Sequence, residues 1–266
     1  MDLVAGQVAV ITGAASGIGL ALAMAFAQRG VHIALLDIES EALSEAARNV
    51  MSKGVEVLPL VCDVANRADV EAARDQVLER FGRVDILCNN AGVMLPFGPL
   101  WTLDAAGWEW ILNVNLRGVF NGLHVFTPLL VAQDSGYVVT TASMAGVSTI
   151  PGNAAYNATK HAVVSLTETL EADLRVAGSK VGVTVLCCGL VRTRIRDAAR
   201  NRPGHNNVPL QVPDAAANAS GAGHIDPEEV AKQVLDAISR GQLYLFTNPN
   251  SQVRVRTRFE RILADC

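Results

Sequence analysis

The segment TGAASGIG, residues 12–19, joins an apolar run at residues 7–12 to a helical apolar pattern at residues 17–29. Gly13 would permit a tight turn, Gly17 a close approach of the backbone to a pyrophosphate, and Gly19 close packing of helix on strand. From Ser16 and Ile18 onward, the start of the helix would offer free N–H groups to phosphate oxygens. The segment therefore predicts a dinucleotide site, although a glycine-rich turn alone is also a common structural connection.

Short apolar runs alternate with amphipathic stretches along the rest of the chain. Further strands are predicted at residues 31–36, 55–62, 84–88, 137–141, 181–187 and 242–247, with helices at 40–52, 67–81 and 253–263 among them. Apolar runs that are continuous rather than alternating indicate parallel strands covered on both faces. We therefore predict one α/β domain over residues 1–266, with a doubly wound, Rossmann-type parallel sheet of seven strands and helices on both faces.

The composition excludes several other classes of protein. With 50% hydrophobic and 18% charged residues in 266, and a net charge of −4, the chain suits a folded domain and lacks the basic balance of a nucleic-acid binder. It has no apolar run near ~20 residues and no basic leader, so we expect a cytoplasmic protein without membrane segments. The five cysteines match no zinc spacing, so we expect buried thiols and no metal.

An acidic residue follows the second predicted strand. Asp37 lies 18 residues after Gly19, with Ile38 next to it. A carboxylate here would accept bonds from the adenosine ribose and repel a 2′-phosphate, and no Lys or Arg occurs at residues 14–16 or 36–40. NAD is therefore favoured over NADP. The alternative is that Asp37 only caps the next helix.

The ends of the third and fourth strands carry polar and small residues. Asp63 and Val64 follow the third strand, and Asn90, Ala91 and Gly92 follow the fourth. Ligands bind at the carboxyl ends of strands in open α/β sheets. Asp63 would reach the adenine edge, and Asn90 would brace the backbone while its small neighbours leave room for a cofactor. Each residue taken singly is also an ordinary turn residue.

A phenol and an ammonium stand four residues apart on one predicted helix face, at Tyr156 and Lys160. Acid–base work near neutral pH requires the pKa of the tyrosine to fall by roughly three units, about 4 kcal/mol. A cation about 4 Å from the phenolate supplies on the order of 4 kcal/mol at an effective dielectric of 20. The pair alone would also fit an ordinary helix surface.

Two further polar residues favour catalysis. Ser143 ends the fifth strand, thirteen residues before Tyr156, where its hydroxyl would hold a substrate oxygen against the phenol. Asn115 lies in an amphipathic helical stretch, where its amide would hold a water that relays protons from Lys160. An isolated asparagine is more often a partner of local backbone.

In this order and spacing, residues 12–19, Asp63, residues 90–92, Asn115, Ser143, Tyr156 and Lys160 resemble the short-chain dehydrogenase/reductase family. The resemblance covers at least residues 7–193. It implies a catalytic tetrad of Asn115, Ser143, Tyr156 and Lys160, with Tyr156 as acid/base and Lys160 also on the nicotinamide ribose. It further implies that Val191 and Thr193 bind the nicotinamide carboxamide and that the protein is a homodimer or homotetramer.

One position departs from the family pattern. Cys188 precedes Gly189 where the family usually has Pro-Gly, which makes the predicted turn less rigid. Beyond Thr193, residues 194–224 lack sustained periodicity and are predicted to form a substrate lid. On a helix, Arg192, Arg196 and Arg200 would share one face, either as a solvated lid surface or as a receptor for a phosphorylated carrier.

The predicted substrate pocket is mostly apolar, which favours a hydrophobic or aromatic alcohol or ketone. Its predicted members are Met94, Leu95, Phe97, Ser143, Ala145, Val147 and Leu190. The leading hypothesis is an NAD(H)-dependent secondary alcohol dehydrogenase or ketone reductase acting on a small molecule. A 3-oxoacyl-thioester reductase and a non-catalytic dinucleotide sensor remain as alternatives.

Overall fold

The computed structural model describes residues 1–204, 224–249 and 251–266. Within them, seven strands form one sheet: β1 (Val8–Thr12), β2 (His32–Asp37), β3 (Val57–Val61), β4 (Ile86–Asn89), β5 (Tyr137–Thr141), β6 (Gly182–Cys187) and β7 (Tyr244–Phe246). The order is β3-β2-β1-β4-β5-β6-β7, and every pair is parallel. The predicted doubly wound parallel sheet is therefore confirmed.

Eight α-helices connect or follow these strands in the described part of the chain. They are α1 (Gly17–Ala27), α2 (Ser40–Met51), α3 (Arg67–Phe81), α4 (Ala105–Leu112), α5 (Gly118–Ala132), α6 (Ala154–Val176), α7 (Pro227–Arg240) and α8 (Ser251–Ala264). A π-helical turn, Asn113–Arg117, joins α4 to α5, and short 3₁₀ helices occupy Leu100–Thr102, Met144–Gly146 and Arg194–Asn201. None of the described helices is long and apolar enough to cross a membrane.

The core lies on both faces of the sheet. In β1, Ala9 and Ile11 pack on one side with residues of α1, α2 and α7, while Val8 and Val10 pack on the other with residues of α3 and α5. Successive strand residues point to opposite faces, so continuous apolar strands require two covering layers. The two layers leave the carboxyl ends of the strands free to form a site.

Local chemistry explains where several elements begin and end. Helix α3 ends at Phe81 because Gly82 follows in the left-handed conformation, at φ 73°. Helix α7 begins after Asp226 with Pro227 in its first turn, where a proline sacrifices no hydrogen bond of the helix. The last strand is shorter than predicted, spanning only Tyr244–Phe246.

Candidate active site

One cavity of about 1360 Å³ opens at the carboxyl ends of the strands. It extends from Asp37 and Asp63, past the turn at Gly17, to Ser143 and Tyr156. The chain reverses its direction of winding between β1 and β4, and such a switch point is where open α/β sheets bind ligands. The predicted cofactor and catalytic residues therefore share one space.

The turn at residues 12–19 requires glycine at three positions. Gly13 and Gly17 have φ of +63° and +55°, a region that residues with a Cβ rarely adopt. A Cβ on Gly13 would lie 2.8 Å from the Cα of Ala91, and one on Gly19 would lie 2.1 Å from the Gly13 carbonyl oxygen. Ser16, Gly17 and Ile18 line the cavity at the start of α1. This bare backbone beside a helix N-terminus fits the pyrophosphate of a dinucleotide.

A hydrogen-bond network holds this turn to the neighbouring strands. The N–H groups of Asn90 and Ala91 donate to the Thr12 hydroxyl at 2.9 and 3.0 Å, and Asn90 Nδ2 donates to the Thr12 carbonyl at 3.0 Å. The Thr141 hydroxyl donates to Asn90 Oδ1 at 3.1 Å. The ends of β1, β4 and β5 are thus tied together through Asn90. Thr12 and Thr141 were not predicted, although each is a hydroxyl residue at the last position of its strand.

The other end of the cavity carries the residues predicted to meet adenosine. The Asp37 carboxylate accepts bonds from the Ala15 N–H at 2.9 Å and the Glu39 N–H at 3.0 Å. Burial raises the pKa of Asp37, and these two backbone bonds act in the opposite direction. Ile38, Asp63 and Val64 also line this end. Asp37 therefore both anchors the turn at residues 12–19 and presents a carboxylate at the rim, which is compatible with a ribose.

The arginines at 192–202 do not form a single face, which corrects the prediction for this segment. The 3₁₀ helix Arg194–Asn201 is interrupted at Asp197, and Arg192 lies before it and pairs with Asp226 at 2.6 Å. Among the described residues, Arg196 meets His224, at 3.3 Å, and no acidic side chain. Of the predicted lid at 194–224, residues 205–223 lie outside the described residues.

Glu39 is the acidic partner of two other arginines of this segment, Arg194 and Arg200. The Arg200 guanidinium donates to both Glu39 carboxylate oxygens, with Nε at 3.1 and 3.2 Å and a still shorter contact through Nη2. Asn201 Nδ2 donates to the same carboxylate at 3.1 Å, and Arg194 lies 3.8 Å away. Arg200 is the main cause of a lowered Glu39 pKa. The segment is therefore held to the end of the cavity that carries Asp37 and Glu39.

Tyr156 and Lys160 stand one turn apart near the start of α6, and both line the cavity. Lys160 Nζ lies 5.6 Å from the centre of the Tyr156 ring and donates to the Thr141 carbonyl at 2.7 Å. Both side chains are almost fully buried, at 6% and 2% exposure. A phenol and an amine therefore lie close together beside β5, almost completely shielded from water.

Burial dominates the acidity of both groups. It raises the pKa of Tyr156, and the nearby Cys188 adds to that increase while the Ser143 hydroxyl opposes it. It lowers the pKa of Lys160 to about 8. The expected lowering of the Tyr156 pKa by Lys160 is thus not a property of the protein alone. Desolvation penalises the phenolate, and Lys160 does not offset that effect.

Asn115 occupies the π-helical turn between α4 and α5, a kind of turn that is frequent at functional sites. Its Oδ1 accepts from the Val93 N–H at 2.7 Å, and its Nδ2 donates to the Val93 carbonyl at 2.9 Å. The side-chain amide therefore bonds to backbone, the alternative that the sequence left open, and the relay water stays a prediction. The contact fixes the segment after Gly92, beside which the Lys160 amine also lies.

The turn after β6 keeps a defined path without the proline of the family pattern. The Cys188 carbonyl accepts from the Met144 N–H at 2.8 Å, and the Gly189 N–H donates to Asn248 Oδ1 at 2.9 Å. Burial raises the pKa of the Cys188 thiol, which keeps the sulfur protonated and weakly reactive. Beyond this turn, Val191 and Thr193 line the cavity, as expected for residues near a nicotinamide.

Four of the seven predicted pocket residues line the cavity: Met94, Phe97, Ser143 and Leu190. The other three are corrected to core positions. Leu95 and Ala145 belong to the buried cluster packed around Tyr156, and Val147 belongs to a second cluster with Met144. Further lining residues at this end were not predicted, among them Trp110, Val114, Met144, Ile150, Asn153 and Ile195. They come from loops and helix faces whose direction the sequence pattern does not determine.

Comparisons with known proteins agree with this geometry. Residues 7–204 match the family model of the short chain dehydrogenases. A short-chain dehydrogenase/reductase from Burkholderia phymatum, solved in complex with NAD, is 40% identical with a TM-score of 0.91, covering 100% of this chain and 97% of that one.

Two curated relatives are each 33% identical to this chain. One is the CLA biosynthesis dehydrogenase/reductase of Lactiplantibacillus plantarum, with 97% of this chain and 94% of the relative covered. The other is the 1-deoxy-11-beta-hydroxypentalenate dehydrogenase of Streptomyces exfoliatus, with 96% and 88% covered. The chain therefore belongs to the short-chain dehydrogenase/reductase family, whose members are oxidoreductases that use a nicotinamide dinucleotide.

Proposed function

We propose that this protein is an NAD(H)-dependent oxidoreductase that interconverts a secondary alcohol and a ketone, with Tyr156 as general acid/base. The observation that carries the proposal is the placement of Ser143, Tyr156 and Lys160 at one end of a cavity whose other end holds Asp37. Bound NAD would accept a hydride from the alcohol carbon, and NADH would return it to the ketone. The protein would position the substrate oxygen and exchange its proton.

The choice of NAD over NADP rests on charge at the adenosine end. Asp37 presents its carboxylate at the rim, and Glu39 pairs closely with Arg200 and more loosely, at 3.8 Å, with Arg194. A 2′-phosphate would therefore meet two carboxylates and no uncommitted cation from these residues.

Ser143 and Tyr156 have complementary roles in the proposed reaction. The Ala145 N–H donates to Ser143 Oγ at 3.1 Å, which orients the hydroxyl next to Tyr156. In the reduction, the neutral phenol that burial favours would give its proton to the ketone oxygen as the alcohol forms. Lys160, with a pKa lowered to about 8, would then supply a proton to the phenolate at neutral pH.

The cavity also bears on the alternatives. A thioester reductase would need several cations for a phosphorylated carrier, yet of the five arginines at 192–202 only Arg196 lacks an acidic partner among the described residues; the others, Arg192, Arg194, Arg200 and Arg202, are ion-paired. A dinucleotide sensor would not need a buried phenol and amine beside an apolar pocket. We also propose that residues 194–224 cover the substrate, since Ile195 and Ala198 line the cavity. As a member of this family, the protein is further proposed to be a dimer or tetramer.

The decisive experiment is NADH oxidation with a panel of aryl and alkyl ketones, and NAD reduction with the matching alcohols. We expect turnover with NADH that exceeds turnover with NADPH by at least tenfold. Binding of NADH without turnover of any member of the panel would instead support the sensor.

A further inference from the structure

Helix α8 brings an arginine into the substrate end of the cavity. Ser251, at the start of the helix, is buried and bonds to Asn248, the residue that also holds the turn at Gly189. One helical turn later Val255 packs on the cluster that contains Met144 and Val147. Arg254 lies between these two anchors and lines the cavity.

Arg254 makes no hydrogen bond or ion pair in the part of the chain that the structure describes. The acidic residues that line the cavity there are Asp37, Glu39, Asp63 and Glu228, and none lies within ion-pair distance of Arg254. Its neighbour one turn on, Arg258, is already bonded to the Val147 carbonyl. Burial lowers the pKa of Arg254, although a guanidinium stays charged at neutral pH.

A second donor without a partner faces the same end of the cavity. Asn153, three residues before Tyr156, lines the cavity and is 4% exposed. Its Nδ2 is buried and has no hydrogen-bond acceptor among residues 1–204, 224–249 and 251–266. Buried donors are normally satisfied, and leaving one unmade is costly. A half-buried guanidinium and an unsatisfied amide N–H together require an acceptor that the described residues do not provide.

We propose that Arg254 is a specificity-determining residue that binds an anionic group of the substrate, a carboxylate or a sulfonate, while the reacting carbonyl meets Ser143 and Tyr156. The inference rests on the proposed alcohol/ketone chemistry and narrows its substrate class. The substrate would be amphipathic, with an apolar body against Met94, Phe97 and Ile150 and an oxyanion at α8. The two parallel N–H groups of an arginine can bind two oxygens of a carboxylate or a sulfonate. Such charge-assisted bonds raise affinity by about tenfold to hundredfold.

The test compares ketones that differ only in charge: 4-acetylbenzoate, 4-acetylbenzenesulfonate and the neutral 4-acetylbenzamide. For the wild-type protein we expect kcat/KM for at least one anion to exceed that for the amide by about tenfold or more, mainly through KM. R254Q should bring that ratio close to one. R256Q is the matched control, because Arg256 is exposed two residues further along α8, and it should keep the wild-type ratio.

A binding measurement distinguishes the failure of this inference from the failure of the proposed reaction. The same three compounds are titrated calorimetrically into NAD-saturated protein, in which a ketone cannot be reduced. Weaker binding of the anion in R254Q but not in R256Q supports the anion site even if no ketone is turned over. Equal affinity of anion and amide in the wild type, or an anion preference that survives R254Q, overturns the inference while leaving the reaction intact.

Discussion

Lys160 donates its hydrogen bond to the carbonyl of Thr141, at 2.7 Å, across the end of β5. The amine is 98% buried, and the bond connects α6 to the strand that leads into Ser143. No carboxylate neutralises the ammonium in the described residues, so its burial is unfavourable wherever it is charged. The burial of charged Lys160 therefore destabilises the folded state, by an amount that depends on pH.

The first prediction concerns that pH dependence. The pKa of Lys160 is about 8 in the folded chain and near 10.5 in the unfolded chain. Between these values the unfolded state binds more protons, so this residue makes the free energy of unfolding rise with pH. The full effect is about 3 kcal/mol, at about 1.4 kcal/mol per pKa unit.

Urea unfolding of the cofactor-free protein at pH 7.5 and 10 measures this effect. Buried thiols and phenols titrate in the same range, so the effect is expected as a difference between proteins: the stability of the wild type minus that of Lys160→Met should grow from pH 7.5 to 10, while Lys232→Met, at an exposed lysine, should follow the wild type. A K160M variant with the same pH profile as the wild type would mean that Lys160 is not charged and desolvated at neutral pH.

The second prediction tests the acid/base residue. Tyr156→Phe should lower kcat by about 100-fold to 10,000-fold, the usual contribution of a general acid, and leave the Kd for NADH within a few-fold. Tyr137→Phe is the matched control, because it removes a buried phenol whose partner in the described part of the chain is Thr184 of β6, at 3.0 Å. Fluorescence titration with NADH and steady-state turnover give the two quantities. Retention of most activity by Y156F would exclude the proposed mechanism.

The sequence predicts the site residues at the ends of the strands better than it predicts the residues that line the substrate pocket. Asp37 and Asn90 were found because they follow apolar strands, and strands in a parallel sheet end at one edge. Leu95, Ala145 and Val147 were misplaced because their segments have no periodicity from which to infer the direction of a side chain. Arg254 was missed because nothing in the sequence places the start of α8 beside Gly189.

The third prediction concerns the phosphate-binding turn. Gly19→Ala would place a Cβ 2.1 Å from the Gly13 carbonyl oxygen, so the turn or α1 must shift. We expect NADH affinity to fall by more than about tenfold, and stability to fall by about 1–3 kcal/mol as in other overpacked sites. Gly98→Ala is the control, since its Cβ meets only the Thr102 hydroxyl, at 3.2 Å. Unchanged NADH binding by G19A would place the pyrophosphate elsewhere.

The fourth prediction concerns the choice of cofactor. Asp37→Asn removes the rim charge but keeps an oxygen that can accept from the Ala15 or Glu39 N–H. We expect the ratio of the Kd for NADP to the Kd for NAD to fall by about tenfold or more, because the loss of one charge weakens repulsion of a 2′-phosphate. Glu45→Gln, which neutralises an exposed carboxylate of α2, should leave the ratio unchanged. An unchanged ratio in D37N would assign the discrimination to another residue.

The last prediction concerns the fastening of residues 194–201 to the rim. Glu39 accepts bonds from Arg200 and Asn201, which are more than 160 residues away in sequence, and its side chain is only 21% exposed. Glu39→Gln replaces charge-assisted bonds with weaker neutral ones, so this segment should open more often. We expect trypsin to cleave after Arg194 or Arg200 severalfold faster in E39Q, as followed by mass spectrometry. Asp134→Asn, which weakens an exposed pair with Lys180, controls for a general loss of charge. Cleavage at the wild-type rate in E39Q would show that the ion pair does not restrain the segment, and faster cleavage in both variants would point to a global rather than a local loss of stability.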